Sequence, residues 1–328
     1  MLKKHGFVLA LVASVGLAAV FPRWGAPDGP LHADLLSKLG VMVIFFLQGL
    51  TLNTRYLAQG VQNVRLHAFI QAWIFIFSAA IFLFIAWLLS ELALQDLADG
   101  FLYLALIPTT ISSAVAFTGA ANGNVPAAIF NVTLANVIGV FWVPAGCLIM
   151  FSTGNSLQAD LVLPLLWKIV QLILLPLIAG QFLRPLVFER DLFQRIAPSF
   201  KLINHSIILF IVFAAFCRSF LSDSWSGTGA GSIWILLGAT LAAVLLIHWG
   251  AWVSSGWIAI SPQERVSALF CGSQKTLAAG APMAVAIFAN ESGLSGSHLG
   301  LLMLPLLCYH PVQLFLAALL LPKLTASR

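Results

Sequence analysis

Long apolar runs separated by short polar segments make up nearly the whole chain. The runs fall near 6–22, 34–52, 66–91, 101–120, 124–151, 161–183, 203–221, 232–260, 266–289 and 298–321. A helix that crosses a hydrocarbon core near 30 Å needs about 20 mostly apolar residues. Backbone groups find no water there, so each run is predicted to be helical. Turn signals between runs agree, among them Pro22-Arg23-Trp24-Gly25, Ser152-Thr153-Gly154-Asn155 and Gly227-Thr228-Gly229-Ala230-Gly231. The pattern predicts an all-α membrane protein of ten transmembrane helices.

Composition supports this reading and excludes others. Of 328 residues, 60% are hydrophobic and only 8% are charged. A soluble domain carries roughly 25% charged residues, because its surface must face water. The expected partner of most of the surface is therefore the lipid bilayer. The net charge of +5 does not point to nucleic acid, because the basic residues lie in short loops between apolar runs. Cys147, Cys217, Cys271 and Cys308 fall inside apolar runs and form no CxxC, against a disulfide framework or a zinc site.

Charge orients the spans. With the N-terminus inside, the inner loops hold eleven cations: Lys3, Lys4, Arg55, Arg65, Arg184, Arg190, Arg195, Lys201, Arg265, Lys323 and Arg328. The outer loops hold two, Arg23 and Arg218. This bias predicts a multi-pass inner (plasma) membrane protein with both termini cytoplasmic. The start of the chain also resembles a secretory signal peptide. No clean A-x-A site precedes Pro22, so the first run is read as a retained span.

The fourth and ninth runs differ from the others. The fourth reads Ile107-Pro108-Thr109-Thr110-Ile111-Ser112-Ser113-Ala114, and the ninth Phe270-Cys271-Gly272-Ser273-Gln274-Lys275-Thr276. Each mixes helix-breaking residues with hydroxyls or amides at mid-membrane depth. Each is also the fourth helix in a set of five. Because five is odd, the tandem halves 1–151 and 161–321 must be inverted relative to each other. Paired interrupted spans at matching places point to a transporter's central site, although small-residue packing between helices also produces such segments.

Lys275 sharpens the site. A lysine near the membrane centre costs on the order of 2.5–3.5 kcal/mol on insertion scales, so it should face a cavity or a partner. Its ammonium either binds an anionic substrate or stands where a cation otherwise binds. Lys38 and Lys168 lie nearer span ends and are expected to snorkel. The expected central polar site comprises Thr109, Thr110, Ser112, Ser113, Ser273, Gln274, Lys275 and Thr276. Asn131, Thr133 and Asn136 either face the fourth span or bond between helices. His310 either lines the cavity or bonds to a neighbouring helix.

At these segments the sequence resembles the bile acid:sodium symporter superfamily, in the branch related to the seventh member of solute carrier family 10. Gly49-Leu50-Thr51-Leu52, Arg65-Leu66-His67, Pro108 to Asn124, and Phe270 to Lys275 carry the likeness. The resemblance implies ten helices, core and panel domains drawn from both halves, and fourth and ninth helices that cross at unwound centres. It implies a substrate such as a bile acid-like or sterol-derived anion, with sodium sites behind the crossing. Of the family's sodium ligands, however, only Ser113 and Gln274 match. Ala114, Ala128, Val132 and Phe270 stand at the other ligand positions, and Lys275 replaces an asparagine.

The function expected is secondary active transport of a small organic anion by alternating access, as a sodium-dependent or otherwise ion-coupled symporter. Coupling to sodium, to protons or to nothing is left open, and no other cofactor or metal is expected. The alternatives are a sodium-independent transporter or a non-transporting regulator on the same scaffold. An enzyme is not expected, because HExxH, GxSxG, a P-loop and a carboxylate pair within spans are all lacking.

Overall fold

The structure, a computed structural model, describes residues 2–26, 28–51, 63–151, 167–188, 192–222, 229–258, 260–288 and 299–326. Arg55, Arg190, Arg328, the turn at 152–155 and residues 227 and 228 of the turn at 227–231 lie outside the described residues, as do the side chains of Lys3, Lys4 and Arg195.

Among the described residues the chain is helical. In chain order the helices are α1 (Leu2–Val20), α2 (Ala33–Thr51), α3 (Val64–Glu91), α4 (Gln95–Leu106), α5 (Ser112–Ala120) and α6 (Val125–Phe151), then α7 (167–188), α8 (Leu192–Leu221), α9 (Ala230–Ser255), α10 (Pro262–Ser273), α11 (Leu277–Phe288) and α12 (Leu299–Ala326). Seven are long and apolar enough to cross a membrane. The ten-span expectation is therefore not met by unbroken helices. The first run forms the 19-residue helix α1, of which Gly6–Val20 is the apolar part. The fourth and ninth runs are each split in two, into α4 and α5 and into α10 and α11. The chain is an all-helical, multi-pass integral membrane protein.

Two compact units divide the chain. The first comprises Met1–Leu52, Pro144–Gly229 and Ala278–Met303. Within it, α2 and α7 approach at small residues: a Cβ on Gly49 would meet the Leu177 carbonyl, and one on Gly180 the Phe46 carbonyl. Such close backbone approach is how helices associate where lipid removes the hydrophobic drive. Gln181 crosses the same seam and donates to the Gly49 carbonyl at 2.5 Å. The Ser14 hydroxyl donates to the Leu209 carbonyl at 2.7 Å, joining α1 to α8.

The second unit comprises Asn53–Val143, Ala230–Leu277 and Leu304–Arg328. Its α10 begins with Ser261 as N-cap, Pro262 in the first turn, and a reciprocal capping box with Glu264. At the corner between α5 and α6, Asn122 takes φ 53°, a conformation asparagine tolerates better than most residues. That corner sits on the start of α10. The Asn124 amide donates to the Gln263 carbonyl at 3.0 Å, and the Ser267 hydroxyl donates to the Asn124 carbonyl at 2.9 Å. In α3, residues Trp73–Phe77 form a π-turn, with the Ser78 amide reaching back to the Trp73 carbonyl. A Cβ on Gly272 of α10 would lie 2.9 Å from the Trp73 Cβ, so α10 packs directly on this turn.

Candidate functional site

Both sequence-predicted interruptions are real breaks, and within the second unit they touch. Pro108 forces the first. The residue before a proline is driven out of the helical region, and Ile107 is extended at φ −70° and ψ 134°. At the second break Gln274 is extended at φ −91° and ψ 151°. The Thr276 amide donates to the Pro108 carbonyl at 3.0 Å, and the Ser113 hydroxyl donates to Gln274 Oε1 at 2.6 Å.

Broken helices free backbone groups, and in lipid each must find a partner. Several of the groups freed here do. Asn136 Nδ2 donates to the Thr109 carbonyl at 3.0 Å. The Tyr309 hydroxyl donates to the Ser273 carbonyl at 2.9 Å. Gln313 pairs with both backbone groups of Lys275, accepting from its amide at 2.7 Å and donating to its carbonyl at 2.8 Å. A single amide side chain thus takes the place of a lost turn of helix.

Lys275 is the centre of this arrangement. It is fully buried, and its ammonium donates to the Ile74 carbonyl at 2.9 Å and the Ile107 carbonyl at 2.8 Å. Both acceptors come from irregular backbone. Ile74 lies in the π-turn of α3, where its carbonyl also accepts from the Ser78 hydroxyl at 2.8 Å, and Ile107 closes α4. Nζ also lies 5.5 Å from the centre of the Phe82 ring, a favourable place for a cation. The ammonium is thus met by two backbone carbonyl oxygens and a ring face.

The remaining expected residues divide. Thr109, Thr110, Ser273, Gln274 and Thr276 are buried at the breaks, whereas Ser113 is half-buried and Ser112 is exposed. Asn131 bonds not to the breaks but to α3, through His67 Nδ1 at 2.9 Å and Gln71 Nε2 at 3.1 Å. Thr133 is buried. His310 is half-buried and bonds through Nδ1 to Gln313 of its own helix at 3.1 Å. Three buried polar atoms at the breaks have no hydrogen-bond partner among the described residues: Thr109 Oγ1, Ser273 Oγ and Gln274 Nε2. Each such group costs about 1–3 kcal/mol if it stays unmet. Two are hydroxyls and one is an obligate amide donor.

Sodium does not fit the positions the resemblance assigns to it. Ala114, Ala128 and Val132 are fully buried in one apolar cluster with Ala268 and Cys271. Phe270 is fully buried and stacks on Phe117 with ring centres 5.6 Å apart. No oxygen donor stands on any of these four side chains. The Ser113 and Gln274 oxygens are already bonded to each other.

Sequence reasoning missed Gln313, Tyr309 and the Ile74 carbonyl. An amide within a span is a signal for Gln313. The apolar stretch Trp73-Ile74-Phe75-Ile76-Phe77 carries none for a π-turn.

Comparison with known proteins shows the family. The model of the SBF-like CPA transporter family matches residues 5–326. This chain belongs to that family. It is 31% identical to sodium/bile acid cotransporter 7 of Mus musculus over 98% of this chain and 93% of the relative. The Danio rerio protein of the same name is also 31% identical, over 98% and 94%. An uncharacterized protein of Pseudomonas aeruginosa matches at 31% over 98% and 93%. The family is one of membrane transporters, and the vertebrate relatives are named as cotransporters.

Proposed function

We propose that this chain is a secondary active transporter of a small organic anion, working by alternating access and without sodium. The observation that carries the reading is the Lys275 ammonium held by the Ile74 and Ile107 carbonyls where two broken helices meet. A fixed positive charge there can stabilise the breaks in every state of the transport cycle, with no sodium ion needed. The apolar cluster around Ala128 and Val132 supports the same view. The unmet Gln274 amide donor and the Thr109 and Ser273 hydroxyls suit an oxyanion or hydroxylated substrate better than a cation.

In this reading the chain forms ten spans, as inverted repeats 1–151 and 161–321. Both termini face the cytoplasm, in accord with the basic inner loops. The anion meets polar groups presented at the two breaks and is released when access alternates.

The test uses purified protein in sealed liposomes, with a panel of radiolabelled bile acid-like and sterol-derived anions. Uptake of at least one that is equal in sodium and potassium, and lost in Gln274→Leu, supports the proposal. Uptake only on a sodium gradient overturns its sodium-independent part. Absence of uptake across the panel, with specific binding retained, would favour a regulator.

A further inference from the structure

In the first unit, away from the broken helices, Lys38 of α2, Lys168 of α7 and Arg218 of α8 converge on one small cavity of about 20 Å³. Asp34 is the one carboxylate lining it, and Arg218 bonds to it. Three cations therefore meet one anion among the described residues that line the cavity. The rest of the lining is largely aliphatic, including Val41, Leu172 and Val285.

Lys168 departs from the snorkelling expected of it. Its Nζ is shielded from solvent and has no hydrogen-bond partner among the described residues. A buried ammonium without a partner is costly, and near two further cations more so. Lys38, by contrast, is exposed. The cavity has room for one or two oxygen atoms. A bulkier ligand would have to project outward. Leu172 also lines an apolar groove between α2 and α7, with Met42, Phe46, Leu175 and Pro176 along it. Leu39, Met42 and Leu175 are exposed there, on a face that meets lipid. All three cations lie near helix ends, where lipid headgroups reside.

We propose that this cluster binds the phosphate of an anionic phospholipid, with an acyl chain lying in the α2–α7 groove. The lysines hold the phosphate oxygens, Asp34 orients Arg218, and the groove selects an amphiphile over a free ion. Basic pockets between spanning helices bind such headgroups on the cytoplasmic side of membranes. In the orientation proposed above, this cluster lies at the outer ends of α2, α7 and α8, so its lipid comes from the outer leaflet.

The test compares the intact protein in neutral detergent with added phosphatidylglycerol, phosphatidylcholine of matched chains, or inorganic phosphate. Phosphatidylglycerol is expected to raise the unfolding temperature several degrees more than phosphatidylcholine, with inorganic phosphate giving little. The preference should vanish in Lys38→Gln/Lys168→Gln. Equal effects of the two lipids, a preference kept in the double variant, or an equal shift with inorganic phosphate would each overturn the proposal. Native mass spectrometry of the unmodified protein in a 1:1 lipid mixture, a test that does not depend on the variant's folding, should find phosphatidylglycerol retained at least fivefold over phosphatidylcholine. No enrichment would contradict the site.

Discussion

Lys275 is stabilised by groups that its own neighbourhood made available. The Ile107 carbonyl is free because Pro108 follows it, and the Ile74 carbonyl sits in a π-turn. Replacing Lys275 with Met removes a buried charge but strands the Ile107 carbonyl, while the Ile74 carbonyl keeps the Ser78 hydroxyl. The two effects oppose each other, so a loss of about 1–3 kcal/mol in stability is expected, together with abolished transport. Gln313→Leu has no such compensation. It leaves the amide and carbonyl of Lys275 unpaired, and a loss of roughly 2–4 kcal/mol should appear in thermal unfolding. At the start of α10, partial desolvation pushes the Glu264 carboxyl up. Hydrogen bonds from the Ser261 amide, Asn63 and the Ser261 hydroxyl, with the nearby His67, outweigh it and hold the carboxyl below its usual range. A depressed carboxyl contributes stability above its unfolded value of about 4.3 and loses it as pH falls through the folded value. Unfolding temperature should therefore drop more steeply below about pH 4.3 in the native protein than in Glu264→Gln.

The broken helices are the elements most legible in the sequence. Proline, glycine and clustered hydroxyls together in an apolar run leave backbone groups unpaired that an unbroken spanning helix would satisfy. Pro108, Ser113, Gln274 and Lys275 were identifiable as a group for that reason. What holds them was less legible. Tyr309 and Gln313 come from α12, and the π-turn comes from an unbroken apolar stretch of α3. Ser112 appeared equivalent to Ser113 in sequence but is exposed, since adjacent residues on a helix point in different directions. Tight packing around the first break makes a further prediction. A Cβ on Gly139 of α6 would lie 2.6 Å from Pro108 Cγ and 3.1 Å from its Cβ. Proline cannot rotate aside, so Gly139→Ala must shift the break. It is expected to cost about 1–3 kcal/mol and to reduce transport rate, measured in liposomes, more than an alanine replacing the exposed Gly119 on α5.

At the scale of the whole molecule, hydrophobic run length was enough to predict an all-helical membrane protein, but not its unbroken helices. Seven described helices meet the length and hydropathy of a span, and two of the ten runs are split at the site. The family is shown by the match of residues 5–326 to its model and not by the span count. Where the sequence departs from the sodium-coupled pattern, the structure has an apolar cluster and a tethered ammonium. Thermal unfolding of the purified protein in sodium against potassium, at equal ionic strength, tests this substitution most directly. A site of about 10 mM affinity would stabilise by about 1.6 kcal/mol at 150 mM sodium. The account predicts indistinguishable unfolding in the two salts; a sodium-specific stabilisation of that size would contradict it.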